Sequence, residues 1–153
     1  MKPKSTAAPE TEALAFREQM VALVRAFGWH RPDQTPCGQP VPISEAHALI
    51  ELARQETLPQ HELGARLGLE KSTVSRLVGQ LESRGWAQRQ RQERDGRAVA
   101  VSLTEKGRQA EEQLAVARTA FFARLLATIP EEKQRDMRDG LDLLLEALRE
   151  QSS

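Results

Sequence analysis

The segment Gln60 to Gly85, "QHELGARLGLEKSTVSRLVGQLESRG", leaves few folds open to this chain. Leu63 and Leu67 stand one helical turn apart, and Gly68 follows as a residue suited to the left-handed conformation that ends a helix. Leu69 then packs back, and a second helix begins near Lys71 and stops at Gly85. At 100° per residue its Val74, Leu77, Val78 and Leu81 gather on one side, which must be buried. Two short amphipathic helices joined by a tight turn have the spacing of a helix-turn-helix.

A ribbon follows at once. Residues Trp86–Arg91 and Ala98–Leu103 read as strands, with Val99, Val101 and Leu103 on one face and Asp95-Gly96 as the turn between them. A helix-turn-helix followed by a two-stranded hairpin is a winged helix. Elsewhere the pattern is helical. Phe16, Met20, Leu23, Val24 and Phe27 predict a helix over about Glu10–Phe27. The four prolines of "WHRPDQTPCGQPVP" impose a loop. Ser44 is the expected cap of the next helix, with Ala46, Leu49, Ile50 and Ala53 inward. Thr104 should cap a long helix to about Thr128. Pro130 should open a last one carrying Met137, Leu141, Leu144, Leu145 and Leu148.

The expected fold is therefore mainly α with one β-hairpin: a winged helix-turn-helix flanked by N- and C-terminal dimerisation helices. Residues 1–9 are expected as a disordered tail and 10–153 as a single domain. Within it, 43–107 form the winged-helix lobe, and 10–28 and 108–151 the dimerisation helices.

The 153 residues suffice for one domain with a real core. Formal net charge is zero, so only its distribution informs. From Thr57 to Arg97 eight basic residues stand against five acidic, whereas from Thr104 onward eight stand against ten. A phosphate senses that local excess, because screening limits its reach to about 8–10 Å. The lone Cys37 excludes an intramolecular disulfide. "MKPKSTAAPE" lacks the apolar core of a signal peptide and no run is long enough to span a membrane, so a cytoplasmic location is expected. No phosphate loop, nucleophile motif or carboxylate pair is recognisable, so neither catalytic residues nor a cofactor are expected. His30, His47 and His61 lack metal-ligand spacing.

The outer side of the second motif helix carries Ser72, Arg76, Gly79 and Ser83, flanked by Thr73 and Gln80. Short polar side chains let a backbone approach a groove, while hydroxyls and amides meet phosphates and base edges. Gly79 costs about 1 kcal/mol relative to alanine inside a helix, which an ordinary solvated face has no reason to bear. The expected partner is double-stranded DNA. The expected contacts are Ser72, Thr73, Ser75, Arg76, Gln80 and Arg84, with Arg91, Arg94 and Arg97 around the hairpin tip. Arg76 fits either a guanine or a phosphate. Arginines on a thin ribbon suit a narrow minor groove, and Asp95 suits holding one of them in position. The competing view is a winged-helix dimer that acts as a protein-interaction module.

The stretch "LPQHELGARLGLEKSTVSRLVGQLESRGWAQRQRQERDGRAVAVSLTEKG" resembles the winged-helix core of the MarR family of bacterial transcription regulators. Its most specific parts are Asp95-Gly96-Arg97 and Val101-Ser102-Leu103-Thr104-Glu105-Lys106-Gly107. The resemblance implies a triangular homodimer that binds pseudo-palindromic operator DNA, with Arg76 and Arg97 as DNA contacts and Asp95 orienting the wing. It further implies a repressor released by a small aromatic or apolar effector lodged beside the dimer helices. Arg17, Trp29, His30 and His47 are the candidates to line that pocket, although His47 also suits a helix surface and Trp29 a core lid. Pro59 and Glu70 depart from the family pattern, where better helix caps are usual. "ISEAHALIEL" also resembles regulators fused to an acetyltransferase domain.

The apolar stripes of the first and last helices exceed what one small domain covers, which favours a dimer over a monomer that folds them back. Some MarR-family regulators sense hydroperoxides through a thiol activated by tyrosines; this chain has no tyrosine. Cys37 is thus expected to be an incidental loop residue, with a thiol-based redox regulator as the alternative.

Overall fold

The computed structural model describes residues 7–91 and 99–151. Helices α1 (Ala7–Phe27) and α2 (Ile43–Ala53) are followed by strand β1 (Leu58–Pro59) and the paired helices α3 (Gln60–Leu67) and α4 (Lys71–Ser83). Strands β2 (Ala87–Arg91) and β3 (Val99–Leu103) precede α5 (Glu105–Ala127) and α6 (Glu131–Gln151). The chain divides into two units, 1–114 and 115–153, with the boundary inside α5.

In the first unit Leu49 and Leu52 of α2, Leu58, Leu63 of α3, and Val74, Val78 and Leu81 of α4 are fully buried, together with Val101 of β3. The expected stripe of α4 is all buried. Burying each such side chain is worth about 1.5–3 kcal/mol, so this cluster holds the lobe together. The turn between α3 and α4 forms as its sequence requires. Gly68 adopts φ 64°, and the Leu69 N–H reaches the Gly64 carbonyl at 2.8 Å.

The sheet has one strand more than the hairpin. Its order is β1-β3-β2, both pairings antiparallel, with Leu58 opposite Val101 and Arg89 also opposite Val101 from the other side. Being central, β3 buries Ala100 and Ser102 as well as Val101 and Leu103. Small residues at 100 and 102 let the second face be covered too. Pro59 belongs on an edge strand, where its missing N–H leaves no gap in the ladder, and it also serves as the N-cap of α3.

Several boundaries differ from expectation. Helix α1 starts at Ala7, so 7–9 belong to it rather than to a tail; Pro9 lies in the first turn, where an N–H has no helical partner anyway. The cap of α2 is Pro42, not Ser44, because Pro42 already holds the extended φ −55°, ψ 141° from which the helix departs and its carbonyl accepts the Ala46 N–H. Ala53 is exposed; Ala48 and Leu52 take the inner positions with Ala46 and Leu49. Pro130 precedes α6 rather than opening it, and its carbonyl accepts the Lys133 N–H at 2.8 Å.

The end of α4 is joined tightly to the start of α5. Thr104 caps α5 as expected, its Oγ1 accepting the Gly107 N–H at 3.0 Å and donating to the Gly85 carbonyl at 2.6 Å. Lys106 Nζ donates to the Arg84 carbonyl at 2.8 Å. A Cβ on Gly107 would sit 1.9 Å from the Trp86 carbonyl oxygen, a distance no side chain survives.

In the second unit α6 buries no residue. Leu141, Leu145 and Leu148 are about half exposed (46%, 48% and 52%), and Leu143 lies open at 72%. Gln134 Nε2 donates to the carbonyls of Leu126 and Ile129 at 3.1 Å each, fixing the turn between the two helices.

Candidate nucleic-acid interface

Helix α4 presents two unlike sides. Its apolar side is sunk in the core, and Ser72, Thr73, Ser75, Arg76 and Gln80 are exposed on the rest. A Cβ added at Gly79 would meet nothing within 4 Å, so the glycine is not demanded by the fold's own packing. The helix begins without a side-chain cap, as Glu70 foretells; the Glu70 carbonyl instead accepts the N–H groups of Thr73 and Val74 at 3.0 Å.

The basic residues divide into two sets. Arg76 and Arg91 are exposed, and neither forms an ion pair among the described residues. Arg84, also expected as a contact, has partners inside the fold. Its Nε lies 2.6 Å from Glu45 Oε2, an ion pair without the alignment of a hydrogen bond, and its guanidinium sits 4.8 Å from the Trp86 ring centroid. Glu45 is almost wholly buried, and a buried carboxylate holds its partner because breaking such a pair strands a charge. Arg84 is therefore a tether between α2 and the end of α4. Arg94, Asp95 and Arg97 fall outside the described residues.

Sequence reasoning missed a cluster centred on Arg89. Its Nη1 pairs with Glu82 Oε2, its Nε donates to Gln60 Oε1 at 3.0 Å, and its Nη2 donates to the Ser75 carbonyl at 2.6 Å. The Arg89 N–H also reaches Glu82 Oε1 at 3.1 Å. Strand alternation was the available signal: Arg89 shares a face with the buried Ala87.

The four pocket candidates separate. Trp29 and His47 line one hollow of about 430 Å³ with Ile43, Ser44, Leu67 and Leu69. Arg17 and His30 line another of about 650 Å³ with Met20, Val21, Val24 and Arg25. Trp29 is 45% exposed and stacks on Phe27 at 4.9 Å, so it is not a lid over the core. Cys37 is half-buried, its Sγ 3.0 Å from Thr35 Oγ1, which in turn accepts the Gln39 N–H at 3.1 Å. No group of three potential metal ligands occurs among the described residues. No described helix is long and apolar enough to cross a membrane.

A winged helix with a bare, polar second motif helix defines a DNA-binding protein of the transcription-regulator class. Residues 39–98 match the model of the MarR family. The chain is 28% identical over 131 residues to an HTH-type transcriptional regulator from Mycobacterium leprae, covering 86% of this chain and 88% of that protein. It is 39% identical over 62 residues to the transcriptional repressor MprA of Escherichia coli, covering 39% of this chain and 35% of the repressor. Among solved structures, a probable transcriptional regulator from Pseudomonas aeruginosa superposes with a TM-score of 0.68 at 26% identity, over 86% of this chain and 95% of that one. These relatives are regulators, not enzymes.

Proposed function

We propose that two copies of this chain form a homodimer that binds a pseudo-palindromic operator in duplex DNA and represses transcription until a small ligand releases it. The observation that carries the DNA half of this reading is the exposed face of α4: Ser72, Thr73, Arg76 and Gln80 around an open Gly79. Such a face fits a major groove, with Arg76 long enough to fork onto a guanine or clamp a phosphate. Ser75 and Arg91 border it, and Arg94 and Arg97 extend it into the minor groove, with Asp95 orienting them. Arg84 is left out because Glu45 holds it.

The dimer is supported by apolar faces that stand open on both terminal helices. Leu14, Phe16, Val21 and Val24 are exposed on α1, as are Leu141, Leu145 and Leu148 on α6. A second copy would cover them and set two recognition helices about one DNA turn apart, roughly 34–36 Å. Residues 10–28 and 108–151 serve this association, and 43–107 serve DNA.

Release by a ligand is supported by the hollow beside Trp29 and His47, whose volume lies in the range that holds a small aromatic or apolar molecule. The repressor sense follows the name of the Escherichia coli relative. The deciding measurement is binding to duplex fragments selected from a random pool across a salt series. Log K falls linearly with log salt if phosphates are engaged. A protein that sediments as one copy and ignores duplex DNA at low salt refutes the proposal.

A further inference from the structure

We infer that Arg89 is a positioning residue that locks the wing to the recognition helix, so that the wing's grip on DNA depends on a side chain that need not touch DNA. The inference rests on the proposed roles of Arg76 and Arg97 in binding DNA.

Arg89 lies in the middle of β2, the strand that leads into the wing tip. Its guanidinium meets three elements at once. Glu82 holds it from the last turn of α4, Gln60 from the first turn of α3, and the Ser75 carbonyl from the middle of α4. The planar fork of an arginine fixes orientation as well as distance, which an ammonium cannot do. Both carboxylate oxygens of Glu82 are used, one on the guanidinium and one on the Arg89 backbone N–H. The strand is thereby pinned through its main chain and its side chain to the same residue. Rotation of the ribbon about its own axis would break all these bonds together.

The contacts also bear on the DNA-facing side. Ser75 is exposed on α4, one residue before Arg76, and Arg89 Nη2 takes its carbonyl. The arginine that sets the ribbon's angle is thus referenced to the turn of helix that carries Arg76, a turn that the buried Val74, Leu77 and Val78 hold in place without it. Its ion pair is partly shielded rather than open, since the Arg89 and Glu82 side chains are 30% and 33% exposed. A hairpin held only by its sheet edge could turn against α4, and ordering it on binding would cost affinity.

The test uses the full-length protein and the duplex it selects from a random pool. In the native background, Arg97→Ala and Arg76→Ala each weaken binding about tenfold or more. In the Arg89→Gln background, Arg97→Ala should cost less than twofold while Arg76→Ala keeps its full factor. Glu82→Gln, which removes the ion pair yet keeps a hydrogen-bonding side chain, should reduce the Arg97 factor part of the way. Arg89→Lys should fail to restore it, because an ammonium is a single point that lacks the planar fork reaching Glu82, Gln60 and Ser75 in separate directions. Thermal melting checks that each variant is folded; should Arg89→Gln unfold, the Glu82→Gln cycle decides by itself. An Arg97 factor unchanged in the altered backgrounds overturns the inference. No loss from Arg97→Ala in the native background refutes the wing's role in DNA binding and takes this inference with it.

Discussion

The winged-helix lobe and helix α6 spend similar residues in opposite ways. Leu49, Leu52, Leu58, Leu63 and Leu81 are sealed in the lobe, whereas no residue of α6 is buried. The stripe of α6 is nonetheless well formed, with Leu141, Leu145 and Leu148 recurring at helical spacing. The first region is stable through its own contacts. The second leaves its apolar stripe open, and in the proposed homodimer that difference would separate folding from assembly within one chain.

That contrast can be broken by substitution. The largest effect is expected at Leu81→Ala, which should lower unfolding free energy by about 2–5 kcal/mol through a cavity in the lobe. Denaturant melts at several protein concentrations check it, since the loss should not depend on concentration. Next comes Leu141→Glu combined with Leu145→Glu. It should shift the proposed dimer to single copies, raising the dissociation constant roughly 100-fold or more, equal to about 2.7 kcal/mol, by placing charge in the apolar face assigned to it. Sedimentation across a dilution series reads it, and an unchanged profile would make the stripe a plain surface.

Gly79→Ala sharpens the comparison from the DNA side. Open space around the position predicts a gain of up to about 1 kcal/mol in helix stability and a weaker complex with DNA. Tighter DNA binding in that variant would contradict close backbone approach. Cys37→Ser comes last, with no measurable change in DNA affinity before or after peroxide treatment. Its thiol meets Thr35 in a turn already held by the Thr35–Gln39 backbone pair, whose N···O distance is 2.9 Å.

Much of this organisation was readable from the chain. Gly68, Thr104 and the stripe of α4 announce local geometry, because turns, caps and amphipathic faces are decided within a few residues. The strand Leu58–Pro59 was not readable, being two residues long and defined only by its pairing with β3. The partners of Arg84 and Arg89 were not readable for a related reason. An arginine in a basic stretch looks the same whether it faces a phosphate or a carboxylate from another helix, and Glu45 and Gln60 lie far back in sequence. Ser44 failed as a cap because Pro42, two residues earlier, already supplied the required backbone angle.

The seam where Gly107 meets the Trp86 carbonyl has a bearing on how such a protein can change its target. Any side chain at 107 would pry the long helix off the reading head, so drift there is closed whatever the operator. Gly79, with the same lack of a side chain but empty space before it, is held by no packing within the fold and answers to the groove alone. New DNA preferences can accumulate along that open face while the joint behind it stays as it is.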